Sequence, residues 1–573
     1  LSIQSKRWKI APPVGQQHLA RFQDLPPLVI QLLHNRKIRD PGAAHEFLAG
    51  GAAGYNPFQL KGMDAAVARL RDAVRGGEQI AIYGDFDTDG VTATALLVQT
   101  LSALGARIQP YIPHRVDEGY GLNLEALRTL YRRGVRLVVT VDCGIRSLDE
   151  VREASKGMDL IVTDHHTPGK DLPPALAVIN PRQAGCPYPF KKLAGVGIAF
   201  KLADALLRVQ QKMGRQSAPL AEEDLLDLVA LGTVADLAPL IGENRWLVKR
   251  GLETLNEPRR PGVEALMADA GLRRGDVDAT AIGFRLGPRI NAAGRIANAM
   301  LAYQLLTSRE PLETKDLAGK LGQLNQRRQD LTQRTVAKAE ALVLADDPEA
   351  RLFLAASEDF EPGIVGLAAS RLTEAYYRPS VVVELGPEES HASCRSIPEF
   401  HITEALDKCK DLLVRYGGHA AAAGFTVKTA NLDTLRQRLQ AIAAEELADV
   451  ELRPSLEIDV EIALEEVSWA THELLSQLEP CGMDNPQPVL VSRDVAIGDK
   501  RAIGSEDKHL KLTLRDGRGQ AWDAIYFRQG HLLDELPGRV DVAYRLDVNE
   551  WNHRKRLQLI VQDLRRADGE VDA

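Results

Sequence analysis

Cysteine is scarce: five in 573 residues, at Cys143, Cys186, Cys394, Cys409 and Cys481, with no CxxC pair. That excludes a disulfide framework and a zinc ribbon, and it suits a reducing cytosol. No run of about 18 apolar residues occurs, so no hydrophobic membrane span is expected. The opening residues, LSIQSKRWKIAPP, lack the apolar centre of a secretory signal, and with no initiator Met, residues ahead of Leu1 are expected to have been removed or left out of this sequence. Positive charge is also short: 71 Lys and Arg against 79 Asp and Glu leave a net −8. Bulk charge therefore gives no argument for nucleic acid, and such a role needs basic residues concentrated locally. Part of the acidity fits a metal site, where it would be neutralised.

The length admits roughly two to four domains. The chain is organised around residues 79–90, QIAIYGDFDTDG. Ile80, Ala81, Ile82 and Tyr83 read as a short buried strand. It runs into Asp85, Asp87 and Asp89, and Gly90 is expected to turn the chain into a helix over about 91–104. Carboxylates at the carboxyl end of a strand sit where open α/β sheets bind ligands. Three so close repel one another unless a cation neutralises them. The plainer alternative is a solvated, Asp-rich turn.

The following strands weaken that alternative. Strands are predicted at 107–112, 136–141, 159–163 and 175–179, with helices between, which gives a doubly wound parallel sheet. The strand over 136–141 ends in Asp142-Cys143-Gly144, and that over 159–163 in Asp164-His165-His166. A helix over 224–234 delivers Asp236. Such ends converge on one crevice, and the pooled carboxylates and imidazoles suit two divalent cations. Adjacent His165 and His166 point in opposite directions on extended backbone, so one is expected as a ligand and the other beside it or facing substrate. Mixed His and carboxylate ligation favours Mn²⁺ or Mg²⁺ over Zn²⁺.

YGDFDTDG from Tyr83, Pro113-His114-Arg115 with Glu118-Gly119-Tyr120-Gly121, VDCG from Val141 and Asp164-His165-His166 together resemble the DHH phosphoesterases. LAGVG from Leu193, GTVAD from Gly232 and LGPRINAAGR from Leu286 continue the likeness, which spans nearly the whole chain. It is closest to the bacterial branch of single-stranded-DNA-specific 5′→3′ exonucleases. The resemblance implies a two-metal site of Asp85, Asp87, Asp89, Asp142, His165 and Asp236, with Asp142 bridging. Asp142, His165 and His166 are implied as the catalytic set. Related phosphatases carry His where this chain has Ala81, so one metal is expected to have more open, all-oxygen coordination.

Arg115 suits a phosphate and Tyr120 a base. The loop they share also reads as a surface turn, but the family pattern faces it to the crevice. Arg289 and Arg295 are candidate phosphate contacts, or else structural partners of a carboxylate.

The remaining chain divides by pattern. Residues 1–60 read as an N-terminal helical segment and 61–311 as the phosphoesterase domain. Residues 312–345 form a bridging helix, on which Arg327 and Arg328 could touch a nucleic-acid backbone or simply be solvated. Residues 346–450 read as a second α/β domain, resembling the accessory domain of the family. There Ser393, Arg395, Gly418 and His419 make an anion pocket for a 5′-terminal phosphate. The alternative reading of GGHAAAAGF is a tight helix-packing segment. Two departures, Phe360-Glu361 and Cys394, stand where the family often has Trp-His and Gly.

From 451 to 573 the chain reads as an OB-like β-barrel. Lys500, Arg501, Lys508, His509, Lys511, Trp522, Tyr526, Trp551, Arg554 and Lys555 supply basic and aromatic groups, though barrel aromatics are more often core.

The expected whole is a multidomain α/β enzyme degrading single-stranded DNA from its 5′ end to mononucleotides. Its expected cofactors are two Mn²⁺ or Mg²⁺ ions. A monomer is expected, cytoplasmic and nucleoid-associated, with no membrane contact. The resemblance implies a single-strand-binding protein and a RecQ-type helicase as partners. An enzyme of short oligonucleotides or cyclic dinucleotides, and a non-catalytic DNA-binding scaffold, are the alternatives.

Overall fold

The structure is a computed structural model that describes residues 6–51, 54–115, 117–212, 220–551 and 554–567. Contacts divide the chain into two units, Ala52–Leu452 and, formed from both ends of the chain, Leu1–Gly51 with Arg453–Ala573.

The larger unit opens with a parallel sheet of β1 (Gln79–Tyr83), β2 (Arg107–Tyr111), β3 (Leu137–Val141), β4 (Asp159–Thr163) and β5 (Ala177–Ile179), in the order β2-β1-β3-β4-β5. Alternation along β1 sends Ile80 and Ile82 into one core and Ala81 and Tyr83 into another, so both faces are covered. Each fully buried Val, Leu or Ile on such a strand contributes about 1.5–3 kcal/mol. The strand order reverses between β1 and β3, and the crevice beyond their carboxyl ends is the usual ligand position in this architecture.

Helix α1 (Thr88–Ala103) follows β1. It begins earlier than the sequence pattern indicates: Asp87 is its N-cap, accepting the Gly90 N–H at 3.0 Å. Gly90 is thus not the turn but lies inside the first helical turn. A Cβ there would sit 2.6 Å from the backbone of Asp85, so close approach is what requires glycine. Helices α2 (Gly195–Lys212), α3 (Leu226–Ala235) and α4 (Gly287–Ile296) pack in turn against this layer. A π-helical turn, Ile282–Leu286, leads directly into α4.

Helix α5 (Pro311–Asp346) bridges to the second α/β domain. At 1.5 Å per residue its 36 residues span on the order of 54 Å. Leu317 and Leu321 enter the first core, while Ala339 and Val343 enter the second. That second domain has β6 (Phe353–Ser357), helix α6 (Pro362–Tyr376), β7 (Ser380–Glu384), β8 (Glu389–Arg395), β9 (Leu413–His419) and β10 (Ala422–Lys428). Its sheet runs β9-β10-β8-β7-β6, with only β6 and β7 parallel. GGHAAAAGF is therefore a β-hairpin and not a helix-packing segment. The hairpin still needs its glycine: Gly418 has φ +153°, and a Cβ there would lie 2.4 Å from the Ala422 carbonyl oxygen.

In the smaller unit, β11 (Leu490–Ile503), β12 (His509–Arg515), β13 (Ala521–Tyr526), β14 (Arg539–Trp551) and β15 (Arg554–Arg566) pair as β11-β12-β13-β15-β14, and β14 returns to β11. This closes a five-stranded OB barrel. Of residues 1–60, expected as a separate helical segment, Leu1–Gly51 belong to this unit. Strand Arg7–Ile10 pairs in parallel with Ser455–Ile458, and Val29, Ile30, Leu32 and Leu33 of helix Pro27–Asn35 share a core with the barrel. Trp522 and Tyr526 are core residues, 5% and 9% exposed. The side chain of Trp551 lies outside the described residues.

Candidate metal centre

The carboxyl ends of β1, β3 and β4 and the end of α3 bring their polar residues together. Three overlapping groups result: Asp85, Asp87 and Asp142; Asp89, His165 and Asp236; Asp142, His165 and His166. Within each, the candidate ligand atoms all lie within 4.8 Å of one another. Asp142 and His165 each belong to two groups, so the three form one continuous centre.

Several details aim these side chains. Asp142 adopts the left-handed conformation, φ 62°, at a cost on the order of 1–2 kcal/mol. This turns its carboxylate away from the path of β3. Gly195, the first residue of α2, leaves room for it; a Cβ there would be 2.7 Å from that of Asp142. Asp89 is held by the same helix start, accepting the N–H groups of Gly195 and Val196 at 2.7 Å each. Asp164 is not in any of the three groups. It accepts the Ile145 N–H at 2.9 Å and the His166 N–H at 3.0 Å, and its Oδ1 lies 2.8 Å from His166 Nδ1. It thereby fixes the ring of His166 and leaves Nε2 as the free ring nitrogen.

The electrostatics are those of a site built for cations. Burial and then the neighbouring carboxylates raise Asp89 to about 7 and Asp236 to about 9, and push Asp85 and Asp142 well above the usual carboxylate range. Burial, reinforced by His166, lowers His165 to about 3, so its ring is the neutral imidazole a metal requires. Burial pulls His166 down as well, but its bond to Asp164 outweighs this and raises it. Asp85 Oδ1, Asp142 Oδ1 and His165 Nε2 are buried without a hydrogen-bond partner. Asp142 Oδ1 and His165 Nε2 stand 3.0 Å apart with no hydrogen bond between them. Lone pairs orphaned around one point fit a divalent cation.

Around this centre lies a basic rim. Tyr120 donates to the Asp142 carbonyl oxygen at 3.2 Å and sits 3.1 Å from His166 Nδ1. The Arg115 guanidinium lies 3.8 Å above the Phe86 ring and donates to the Gly294 carbonyl oxygen at 3.0 Å. Arg115 and Tyr120 also line a cavity of about 800 Å³, with Glu384, His391, Arg415 and Tyr416 opposite. The cavity thus runs between the two α/β domains.

Ser393 and Arg395 meet at the start of α6. Arg395 donates to Ser393 Oγ at 3.1 Å, and a Cβ on Gly366 would lie 3.0 Å from that hydroxyl. Arg295 donates to Gly363 in the same turn, at 3.3 Å. Burial, then Arg115, Arg328 and Arg395 as neighbouring cations, lower Arg295 to about 10. A cluster of partly desolvated guanidinium groups suits an anion.

Not every candidate is brought in. Arg289 is tied to Asp269, at 2.8 Å, and to the Arg285 and Asp269 carbonyl oxygens. Its fork is used structurally, as the alternative reading had it. Gly418 has the packing reason given above. His419 is exposed on β9, with its carbonyl oxygen accepting from Thr403. In register, it lies across β10 from Arg395 through Ala422. Asp164 is named in the sequence only within its triplet, with no role of its own, and His391 and Arg415 are not singled out there. Asp164 was legible as the first letter of its own triplet, whereas His391 and Arg415 needed the register Arg415–Thr426–His391.

Three family descriptions match the chain: "DHH family, N-terminal domain" over residues 79–233, "DHHA1 domain" over 349–445, and "RecJ OB domain" over 458–563. The single-stranded-DNA-specific exonuclease RecJ of Bacillus subtilis is 39% identical over 97% of this chain and 70% of that protein. The Escherichia coli protein of the same name is 36% identical over 94% of this chain and 96% of its own. Among solved structures, RecJ of Thermus thermophilus in complex with Mn²⁺ superposes with TM-score 0.84 at 33% identity, over 98% of this chain and 80% of that one. Its Mg²⁺ complex gives 0.78 at 31%, over 98% and 79%.

Proposed function

Since the chain belongs to the RecJ family of the DHH phosphoesterases, we propose that it is a metal-dependent exonuclease that hydrolyses single-stranded DNA from the 5′ end and releases 5′-mononucleotides. The observation that carries this is the continuous centre with its orphaned buried lone pairs, beside which Arg115 and Tyr120 line the cavity between the two α/β domains. Mn²⁺ or Mg²⁺ is the cofactor. Asp85, Asp87 and Asp142 would hold one cation, and Asp89, His165 and Asp236 a second, Asp142 being shared with the group that includes His165 and His166. Two such ions, when bound, polarise a phosphate and make water acidic enough to attack it.

The protein's own groups do the rest. Asp164 clamps His166 so that Nε2 can donate a hydrogen bond to the phosphate or to the departing oxygen. Tyr120 meets the same ring nitrogen, Nδ1, that Asp164 holds, and offers its ring face to a base. Arg115, Arg395 and Ser393 hold the terminal phosphate, which would fix the polarity, and His419 lies along the same edge. The barrel grips the strand not yet digested. The domain division 61–311, 312–345, 346–450 and 451–573 belongs to this reading, with residues 1–51 now counted with the barrel. So do a cytoplasmic, nucleoid-associated location, a monomer, and recruitment by a single-strand-binding protein and a RecQ-type helicase. No described helix is long and apolar enough to cross a membrane.

The test is digestion of a long single strand labelled at either end, beside the same sequence as duplex, with Mn²⁺ or Mg²⁺ present. We expect loss from the 5′ end only, with duplex spared. Asp142→Ala should abolish cleavage and leave thermal unfolding nearly unchanged. Full activity in that variant would remove Asp142 from the centre.

A further inference from the structure

Helix α3 delivers Asp236 and then stops in a way that its sequence does not favour. The Leu237 N–H donates to the Val234 carbonyl oxygen at 3.2 Å, and the Ala238 N–H to that of Thr233 at 3.1 Å. This pair of bonds defines a helix end at which the residue in the position of Leu237 takes the left-handed conformation and is usually glycine. Leu237 has φ 56° and is 66% exposed. Its neighbours Val234 and Ala238 are buried. The position therefore carries a disfavoured backbone conformation and an apolar side chain facing water, and neither is relieved by packing within the protein.

The setting is specific. Asp236, one residue earlier, stands 3.7 Å from His165 Nε2. The π-helical turn Ile282–Leu286 packs on the end of α3: a Cβ on Gly287 would lie 3.2 Å from that of Ala235. This turn carries Phe284, 80% exposed. π-turns inside helices frequently mark functional sites. A nucleotide whose phosphate occupies a centre of carboxylates and imidazoles has little for a leucine to touch except its sugar and its base.

We propose that Leu237 is a substrate-contacting residue, packing on the base of the nucleotide whose phosphate lies at the metal centre. This rests on the exonuclease reading above. The contact selects a large apolar side chain where the backbone would prefer glycine. It reads no sequence, since every base presents an apolar face.

The test uses the full chain with Mn²⁺, as wild type, Leu237→Gly and Leu237→Ala. Single-turnover cleavage is followed on a 5′-phosphorylated strand with a normal or an abasic terminal nucleotide. Thermal melting and Mn²⁺ titration are run beside it. Leu237→Gly is expected to melt at or above wild type, because the strain is gone. It should bind Mn²⁺ like wild type and cleave the normal strand about tenfold more slowly, the scale of one lost apolar side chain. Leu237→Ala should be slowed similarly. The abasic end should slow wild type by a similar factor and leave Leu237→Gly unaffected.

Cleavage by Leu237→Gly at the wild-type rate overturns the contact. So does an abasic penalty of equal size in both proteins, or a fall in melting temperature or Mn²⁺ affinity that accounts for the slower rate. Those outcomes leave the exonuclease reading intact. A wild-type protein that cleaves no single strand overturns that reading, and the contact with it.

Discussion

Asp89 and Asp236 give the centre a pH signature that can be read without any substrate. Both carboxyls are raised, to about 7 and about 9, by burial and by one another's neighbours. In the unfolded chain they ionise near 3.9. Between these limits the metal-free fold binds more protons than the unfolded chain, so its stability falls as pH rises through this window. A divalent cation removes the cause by pairing with the ionised forms. We expect Mn²⁺ to raise the melting temperature more near pH ~8 than near pH ~6, with protons released on binding. Differential scanning fluorimetry with and without Mn²⁺ at the two values checks this; an equal rise would mean that these carboxyls are already ionised without metal. At this scale the sequence was informative wherever the chemistry is local. Asp85, Asp87 and Asp89 announce themselves by crowding, and Asp164-His165-His166 by position after a strand. Arg289 was ambiguous because its partner, Asp269, is a contact made only by folding. Leu237 gave no signal, since its meaning lies in a backbone angle.

Among the elements, β12 and β13 gather some of the barrel's named basic groups on one face, beside an aromatic that the sequence did not single out. Leu510, Leu512 and Leu514 point into the barrel, as do Trp522, Ala524 and Tyr526. Alternation therefore puts His509 and Lys511 outside, with Ile525 beside Lys511 and Arg501 across from it. Phe527, just past β13, is 51% exposed and meets the His509 ring edge-on at 5.3 Å. The outer face of the second and third strands is where OB barrels bind single strands. The aromatic to test is thus Phe527; Trp522 and Tyr526, named from the sequence with the remark that barrel aromatics are more often core, are core, because burial and not residue type separates a platform from a core. Replacing Phe527 by Ala should weaken binding of a long single strand about five- to tenfold, the lower range for one stacked base. Cleavage of a short oligonucleotide should change little. Fluorescence anisotropy with the two lengths decides it, and equal losses on both would place Phe527 outside the grip. The second domain teaches the same lesson. A run of Gly and Ala looks like helix packing until Gly417–Gly424–Ser393 is seen as one row across three strands.

For the whole molecule, a net charge of −8 and a DNA substrate are reconciled by segregation. Carboxylates gather where cations belong, and Arg115, Arg295, Arg328 and Arg395 gather beside them, between the two α/β domains. If that cluster receives the terminal phosphate, a strand beginning with 5′-phosphate should be degraded faster than one beginning with 5′-hydroxyl, by about tenfold or more. Arg395→Ala should erase most of the difference. A variant that keeps the preference would move the phosphate elsewhere. The domain order was legible because each domain has its own periodicity, alternating strand and helix, one long helix, then short strands with turns. The placement of residues 1–51 was not, because pairing between Arg7–Ile10 and Ser455–Ile458 depends on residues at opposite ends of the chain.

That pairing has a consequence for biosynthesis. The partners of the first 51 residues begin only at Arg453, after about 400 intervening residues. At roughly 5–20 residues per second the ribosome needs on the order of 20 to 80 s to make them. Throughout that interval Val29, Ile30, Leu32 and Leu33 lack the barrel core that buries them. The nascent chain thus carries an unsatisfied apolar helix, a natural hold point for a chaperone. The barrel can close only after Arg554–Arg566 has left the ribosome, so the metal centre is synthesised before the grip on DNA can be finished.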